Sequence, residues 1–341
     1  MIYLVQKYVF SGRVMLFSSV KMSNFAIRMK FRVIEFVQNS RSEMWNIISR
    51  HLPFLLCVFV VAVWGETFVS SKILLQRGLF PAEIFFFRFL LAYLLMVIVS
   101  HGRMWADSLR DETLLMAGGV FGGSLYFLAE NLALEYSTAS NVAILVGTTP
   151  LATALLLALF YRDERMSGRQ VVGSLIAFCG LVLVVLNGRL VLHLNPVGDM
   201  LALVASLLWG LYSLVMKNLM RRYEPRFVTR KVFGYGLLTI LPWFFLVQPI
   251  GNVVEMLAEP VVWGNLLYLG MVASLLCYLL WNWALPRVGV VRATNLVYTQ
   301  CAFTMVISSI VLDERITMMA VSGTVILILG MMLMSRKGVP N

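Results

Sequence analysis

Ten stretches of mostly apolar residues, separated by short charged connections, leave this chain few folds to choose from. They lie near 52–75, 81–100, 114–136, 139–161, 169–187, 198–220, 231–248, 261–284, 293–312 and 317–335. Each is close to the length an α-helix needs to cross a hydrocarbon core, roughly 20 residues. Lipid offers no hydrogen-bond partner to an open backbone, so only helices and closed barrels span it. The stretches are continuous rather than alternating, and the expected fold is therefore an all-α polytopic membrane protein with ten transmembrane helices. Composition agrees: 60% of residues are hydrophobic and 13% charged, against about 45–50% and 25% in soluble domains. The net charge of +11 would suggest nucleic acid in a soluble chain. Here the basic residues sit between spans and on the N-terminal tail, so membrane topology accounts for them and no nucleic-acid partner is expected.

Counting Lys and Arg gives the orientation. With the N-terminus inside, the inner connections and C-terminal tail carry Arg103, Arg110, Arg162, Arg165, Arg169, Lys217, Arg221, Arg222, Arg226, Arg230, Lys231, Arg287, Arg292, Arg336 and Lys337. The outer connections carry only Arg77, Arg189 and Arg315. The positive-inside rule then places both termini in the cytoplasm. Residues 1–50 stand apart: basic, too charged to span, and without the apolar core and cleavage site of a signal peptide. Three readings fit them: a basic amphipathic segment on the membrane surface, a disordered tail, or codons upstream of a start at Met44. The last two are favoured.

The chain repeats itself. Trp64-Gly65 followed by Lys72 returns as Trp209-Gly210 followed by Lys217, and Asp163-Glu164-Arg165, Gly173 and Gly180 return as Asp313-Glu314-Arg315, Gly323 and Gly330. Between them Asn131-Leu132-Ala133-Leu134 matches Asn282-Trp283-Ala284-Leu285, and Asn141 is paired with Asn295. The unit is five helices, used twice. Because five is odd, the second copy starts from the opposite side of the membrane and is inverted relative to the first. Inverted repeats are a mark of secondary transporters, whose binding site lies between the halves near mid-membrane.

These residues carry a resemblance. Trp64-Gly65 with Phe68 and Lys72, Pro81 with Arg88, the small-residue and Asn131 pattern of the third helix, Pro150, and the duplicated Asp-Glu-Arg–Gly–Gly series resemble the drug/metabolite transporter superfamily, and within it the EamA-type ten-helix bacterial exporters. The resemblance covers about residues 50–335, with a first repeat over 51–187 and a second over 195–336. It implies a multi-pass protein of the bacterial inner membrane that exports amino acids or related metabolites, as a monomer or homodimer. One departure is Thr304, paired with Pro150 of the first copy, which leaves a matching kink in the ninth helix unsupported.

Ionisable groups inside a bilayer are costly and call for a partner or a role. Glu66, Lys72, Arg88 and Glu130 fall well inside spans, at neighbouring depths where they can neutralise one another; Glu83 and Glu135 fall at span ends within reach of water. Glu66 aligns with Leu211 and Glu130 with Trp281, so the acids belong to the first copy only. One of them is expected to bind a substrate ammonium or to couple a proton, and a structural charge network is the competing reading. Trp64, Tyr126, Trp209, Tyr212, Trp281 and Tyr298 with Asn131, Asn141, Asn282, Asn295 and Gln300 form an amphipathic set suited to a binding site, although amides also glue membrane helices together. The two Trp-Gly pairs are the better cavity candidates, since each Gly lets another backbone approach. Pro150 is expected deep in the fourth helix, where it would leave the Val146 carbonyl without its N–H partner and kink the helix; a fixed bend is the commoner outcome and a gating hinge the alternative. The acids of the Asp-Glu-Arg motifs suit helix N-termini.

The four cysteines and three histidines are scattered, so neither a metal site nor a cofactor is expected. No phosphate loop marks an ATP-driven pump. A small-molecule carrier in contact with membrane lipid, with protons as a candidate coupling ion, is the reading of choice; the alternatives are a lipid-linked carrier or flippase and, further off, a membrane-embedded lipid-modifying enzyme.

Overall fold

The computed structural model describes residues 51–100, 102–137, 139–160, 167–186, 196–251, 256, 258–311 and 317–335. The extension 1–50 and the Asp-Glu-Arg motifs at 163–165 and 313–315 lie outside them, so no capping role is assigned there. The helices are α1 (His51–Gln76), α2 (Pro81–Val99), α3 (Leu109–Tyr136), a two-piece α4 (Ala139–Val146 and Thr149–Phe160), α5 (Gly168–Leu186), α6 (Pro196–Arg222), α7 (Pro225–Leu246), α8 (Pro260–Val288), a two-piece α9 (Val290–Asn295 and Tyr298–Val311) and α10 (Met318–Ser335). Five of them, α1, α2, α3, α6 and α8, are each long and apolar enough to cross a membrane. The chain is an all-α polytopic protein, and no strand occurs among the described residues.

Several boundaries shift from the sequence expectation for identifiable reasons. Pro225 starts α7 and Pro260 starts α8 at first-turn positions, where a missing N–H costs nothing. The expected start of α7 at 231 leaves Arg226 and Arg230 outside the helix. Arg230 instead donates to Ser100 O at 2.6 Å and to Arg103 O, which makes it affordable inside a helix. α3 starts at Leu109 because Ser108 caps it, accepting from Asp111 N at 3.1 Å.

The repeat is visible in the irregularities as well as in the helices. α3 contains a π turn at Val120–Ser124 and α8 one at Tyr268–Leu276. α4 breaks at Gly147–Thr148 and α9 at Leu296–Val297. These breaks align the copies at an offset of 149, so Asn141 does not pair with Asn295 nor Pro150 with Thr304. Both fourth helices break, with or without proline. Pro150 sits in the first turn of the second piece of α4 rather than deep in a helix, and the Val146 carbonyl before the break accepts from Thr149 Oγ1 at 2.7 Å.

Inversion can be read from one helix pair. A methyl group on Gly180 would lie 2.3 Å from Leu327 N and 2.7 Å from Gly323 O; one on Gly330 would lie 2.4 Å from Ala177 N and 2.7 Å from Gly173 O. Late residues of α5 thus meet early residues of α10, and the reverse, so these equivalent helices pack antiparallel. Close backbone approach at small residues is how helices associate where lipid removes the hydrophobic drive between them. The same exchange joins α2 to α8 and α7 to α3, and the equivalent helices α2 and α7 meet where Phe89 packs edge-on against Phe233 at 4.8 Å, a contact worth about 0.5–1.5 kcal/mol beyond burial.

Candidate functional site

A cavity with about 420 Å³ of space between atoms, its opening included, lies where the halves meet. Trp64 and Thr67 of α1, Arg88 of α2, Tyr126, Phe127 and Glu130 of α3, Val146 and Thr149 of α4, Trp209 of α6, Tyr278 of α8, and Val297 and Gln300 of α9 line it. The first, third and fourth helices of both repeats contribute, and Arg88 adds the second helix of the first repeat alone.

Irregular backbone builds the walls. Trp64 Nε1 donates to Ala273 O, in the π turn of α8, at 3.0 Å, and Tyr278 Oη donates to Gly122 O, in the π turn of α3. Each π turn therefore offers a carbonyl to an aromatic side chain of the other repeat, a placement that π segments often have at functional sites. Gly65 lets α9 approach, with Gln300 O 2.8 Å from where a methyl would stand; Gly210 does the same for α4, with Leu156 Cδ1 at 2.9 Å. The indoles of Trp64 and Trp209 meet edge to face at 5.0 Å, and Trp64 lies 5.1 Å from Trp281.

Two ionisable side chains face one another in this cavity. Arg88 is 1% exposed; its Nε donates to Ser274 Oγ at 3.0 Å, its guanidinium lies 4.3 Å from the centre of the Phe127 ring, and its Nη1 has no hydrogen-bond partner. Glu130 is buried and accepts from Tyr126 Oη one helical turn away. The two share the cavity without a direct ion pair. Trp209 Nε1, also buried, has no acceptor.

The other sequence candidates are placed elsewhere. Glu66 does not line the cavity; its Oε1 accepts from Ser70 Oγ at 2.7 Å. Lys72 donates to Leu134 O at 2.6 Å and Ser137 O at 3.3 Å, tying α1 to the end of α3. The four charges form no ion pair among themselves: Arg88 and Glu130 share the cavity, Lys72 is bonded to the end of α3, and Glu66 is bonded to Ser70 through one oxygen while its buried Oε2 has no hydrogen-bond partner. Glu83 is buried rather than wet, bonding Phe80 N at 2.9 Å and Gly251 N at 2.6 Å. Asn131 donates to Pro81 O at 3.0 Å, and Asn282 accepts from Tyr212 Oη at 2.7 Å and donates to Thr229 Oγ1 at 3.1 Å; these three side chains are helix glue. Trp281 and Tyr298 are fully buried behind the lining. Pro150 follows the break in α4, and the side chain of Asn141 lies outside the described residues.

Sequence reading missed Thr67, Phe127, Val146, Thr149, Tyr278 and Val297. A signal for two of them existed: the offset of 151 that pairs Asn131 with Asn282 also pairs Phe127 with Tyr278, and both line the cavity.

Bonds between the repeats lie near both ends of α2. Near the start of α2, Arg77 Nη1 meets Glu259 Oε2 at 2.5 Å. At the other end of α2, about 28 Å away for its 19 residues, Asp111 accepts from Arg222 Nη1 at 3.2 Å and from Tyr223 Oη at 2.8 Å. Lys231 and Tyr235 there both bond Glu112.

Comparison with known proteins agrees with this architecture. The chain matches the EamA-like transporter family model twice, over residues 51–186 and 196–336. An uncharacterized transporter of Archaeoglobus fulgidus is 30% identical over 287 residues, covering 83% of this chain and 97% of that one. A probable amino-acid metabolite efflux pump of Escherichia coli is 25% identical over 286 residues, 81% of this chain and 92% of the other. A probable terminal-alkyne amino-acid exporter of Streptantibioticus cattleyicolor is 25% identical over 67% of this chain and 74% of its own length. One solved crystal structure superposes with a TM-score of 0.66 at 16% identity, covering 84% of this chain and 96% of that chain, which shows the shared fold. With both halves matched and the five-helix unit used twice, the chain belongs to the EamA-like transporter family.

Proposed function

We propose that this protein is a secondary transporter that exports amino acids or related small metabolites by alternating access between its inverted repeats. The observation that carries the reading is the cavity at the junction of the halves, lined by the repeat-equivalent pairs Trp64/Trp209 and Phe127/Tyr278. Two halves of one fold in opposite orientation can exchange conformations, which turns a site open to one side into a site open to the other. The inter-repeat bonds at each end of α2 are the contacts such an exchange makes and breaks in turn. With no nucleotide-binding module in the sequence, the energy comes from an ion gradient or from exchange; Glu130, buried in the cavity wall, is the group suited to carry a coupling proton. The charge count favours both termini on the cytoplasmic side, and the resemblance to bacterial exporters supports an inner-membrane location. Related proteins named as amino-acid exporters support the substrate class.

The test is efflux. Cells deprived of their own exporters and expressing the full chain should survive toxic amino-acid analogues and lose preloaded labelled amino acids faster than empty controls. Protection against no analogue, together with altered lipid composition, would favour a lipid-linked carrier instead.

A further inference from the structure

We propose that the cavity takes its cargo by a carboxylate, bound at the free edge of Arg88 with the indole N–H of Trp209 as second donor. The inference rests on the transport reading only for why a small molecule enters at all. A guanidinium taken out of water is tolerated when its donors are used and a counter-charge touches it. Arg88 meets neither condition: Ser274 takes Nε and Phe127 takes one face, but Nη1 has no acceptor. Glu130 does not supply one, since it lies outside ion-pair distance and already accepts from Tyr126. Trp209 Nε1 repeats the pattern, a buried donor on the same cavity with nothing to bond. Two unsatisfied donors, one of them charged, call for an anionic acceptor with two oxygens, which the planar guanidinium edge matches best.

The remaining walls narrow the class. The indole and phenol rings of Trp64, Trp209 and Tyr278 suit an apolar or aromatic body. Glu130, without a cationic partner in contact, suits an amine. A molecule carrying both a carboxylate and an amine complements the cavity. An amine without a carboxylate meets the free cationic edge of Arg88 and gains nothing there.

The experiment uses the purified full chain in detergent and follows thermal unfolding. Three ligand sets are compared: the common L-amino acids, their primary amides, and the corresponding decarboxylated amines. The acids should raise Tm with a saturable dose dependence; the amides and amines should not. Trp209→Phe keeps the ring and removes the donor, and should weaken acid binding roughly three- to tenfold. Arg88→Lys keeps the charge and loses the planar edge, and should weaken it by roughly tenfold or more. If Arg88→Lys does not fold, Trp209→Phe decides alone. Stabilisation by amides or amines equal to that by acids, no stabilisation by any acid, or unchanged acid affinity in the variants would overturn the proposal. Amino-acid binding without efflux would instead leave it standing and remove the transport reading; efflux without carboxylate preference would do the reverse.

Discussion

Arg77 at the end of α1 is the repeat counterpart of Arg222 at the end of α6, and each closes an ion pair onto the N-terminal end of the other half's third helix. Arg77 reaches Glu259 beside the start of α8, and Arg222 reaches Asp111 in the first turn of α3. The offsets are 145 for the arginines and 148 for the acids, the same as for the Trp-Gly pairs and for the starts of the π turns. The pairs differ in burial. Arg77 and Glu259 are 47% and 50% exposed, whereas Asp111 is 7% exposed and has Tyr223 as a further donor. Arg77→Ala should therefore change stability by about 0–1 kcal/mol, and Asp111→Ala should cost about 1–3 kcal/mol by stranding the buried Tyr223 hydroxyl. Thermal unfolding in detergent checks this, and equal losses would show that burial does not separate the two ends.

Glu130 and Glu66, indistinguishable by depth in the sequence, part ways in the structure. Glu130→Gln should lower transport by roughly tenfold or more at unchanged membrane abundance, as loss of a buried charged partner does. Glu66→Gln should have a smaller effect, because Glu66 bonds Ser70 and does not line the cavity. Efflux rates normalised to protein level measure both, and a larger loss from Glu66→Gln would reverse the assignment.

At the fourth helix the break belongs to Gly147–Thr148 and not to Pro150. Pro150→Ala should leave stability and transport nearly unchanged, since a first-turn N–H has no helical partner to regain. Thr149→Val removes the hydroxyl that satisfies Val146 O and should cost about 1–3 kcal/mol. A large effect of Pro150→Ala on transport with none from Thr149→Val would restore the proline as the hinge.

The connection between α2 and α3 gives a pH expectation. Arg103 bonds Asp107, which holds that carboxyl below its usual range. A depressed acid contributes above its ordinary value and loses its contribution as pH falls through the lowered one. The clasp should therefore persist unchanged from neutral pH down past the ordinary carboxylate range. The carboxyl carbon shift of labelled Asp107 reads this by NMR, and protonation at or above the ordinary value would contradict it.

A substituent on Gly180 has nowhere to go. Gly180→Val should destabilise by about 3 kcal/mol or more, since its contacts are backbone atoms of α10 that cannot step aside. Gly330→Val should do the same, and the double variant should lose less than the sum because both act on one interface.

How much of this was legible in the sequence follows from what each feature leaves behind. Ten helices and the α5–α10 glycines were readable because span length and a duplicated motif survive in the residue string. The direction of side chains was not. Asn131 and Asn282 look like ligand-binding amides, yet both are spent on neighbouring helices, and polarity alone does not say which way a residue faces. Tyr278 was missed because a π turn precedes it in α8. An added residue in a turn rotates everything after it by about 100°, so a face drawn with a 3.6-residue period is lost across the insertion. The sequence also overstated Pro150, because a proline in an apolar run reads as a kink whether it lies within a helix or at the start of one.

The glycine contacts between α5 and α10 have a consequence for how the protein is made. α5 closes the first half of the chain, but the surface cut to receive it belongs to α10, which follows only after four more helices have been made. Until α10 arrives, Gly173, Ala177 and Gly180 present a bare groove of backbone to the bilayer, with no side chains to shield it. Biogenesis of the first half is then a matter of waiting, and the nascent chain is most exposed to quality control in the interval between the insertion of α5 and that of α10.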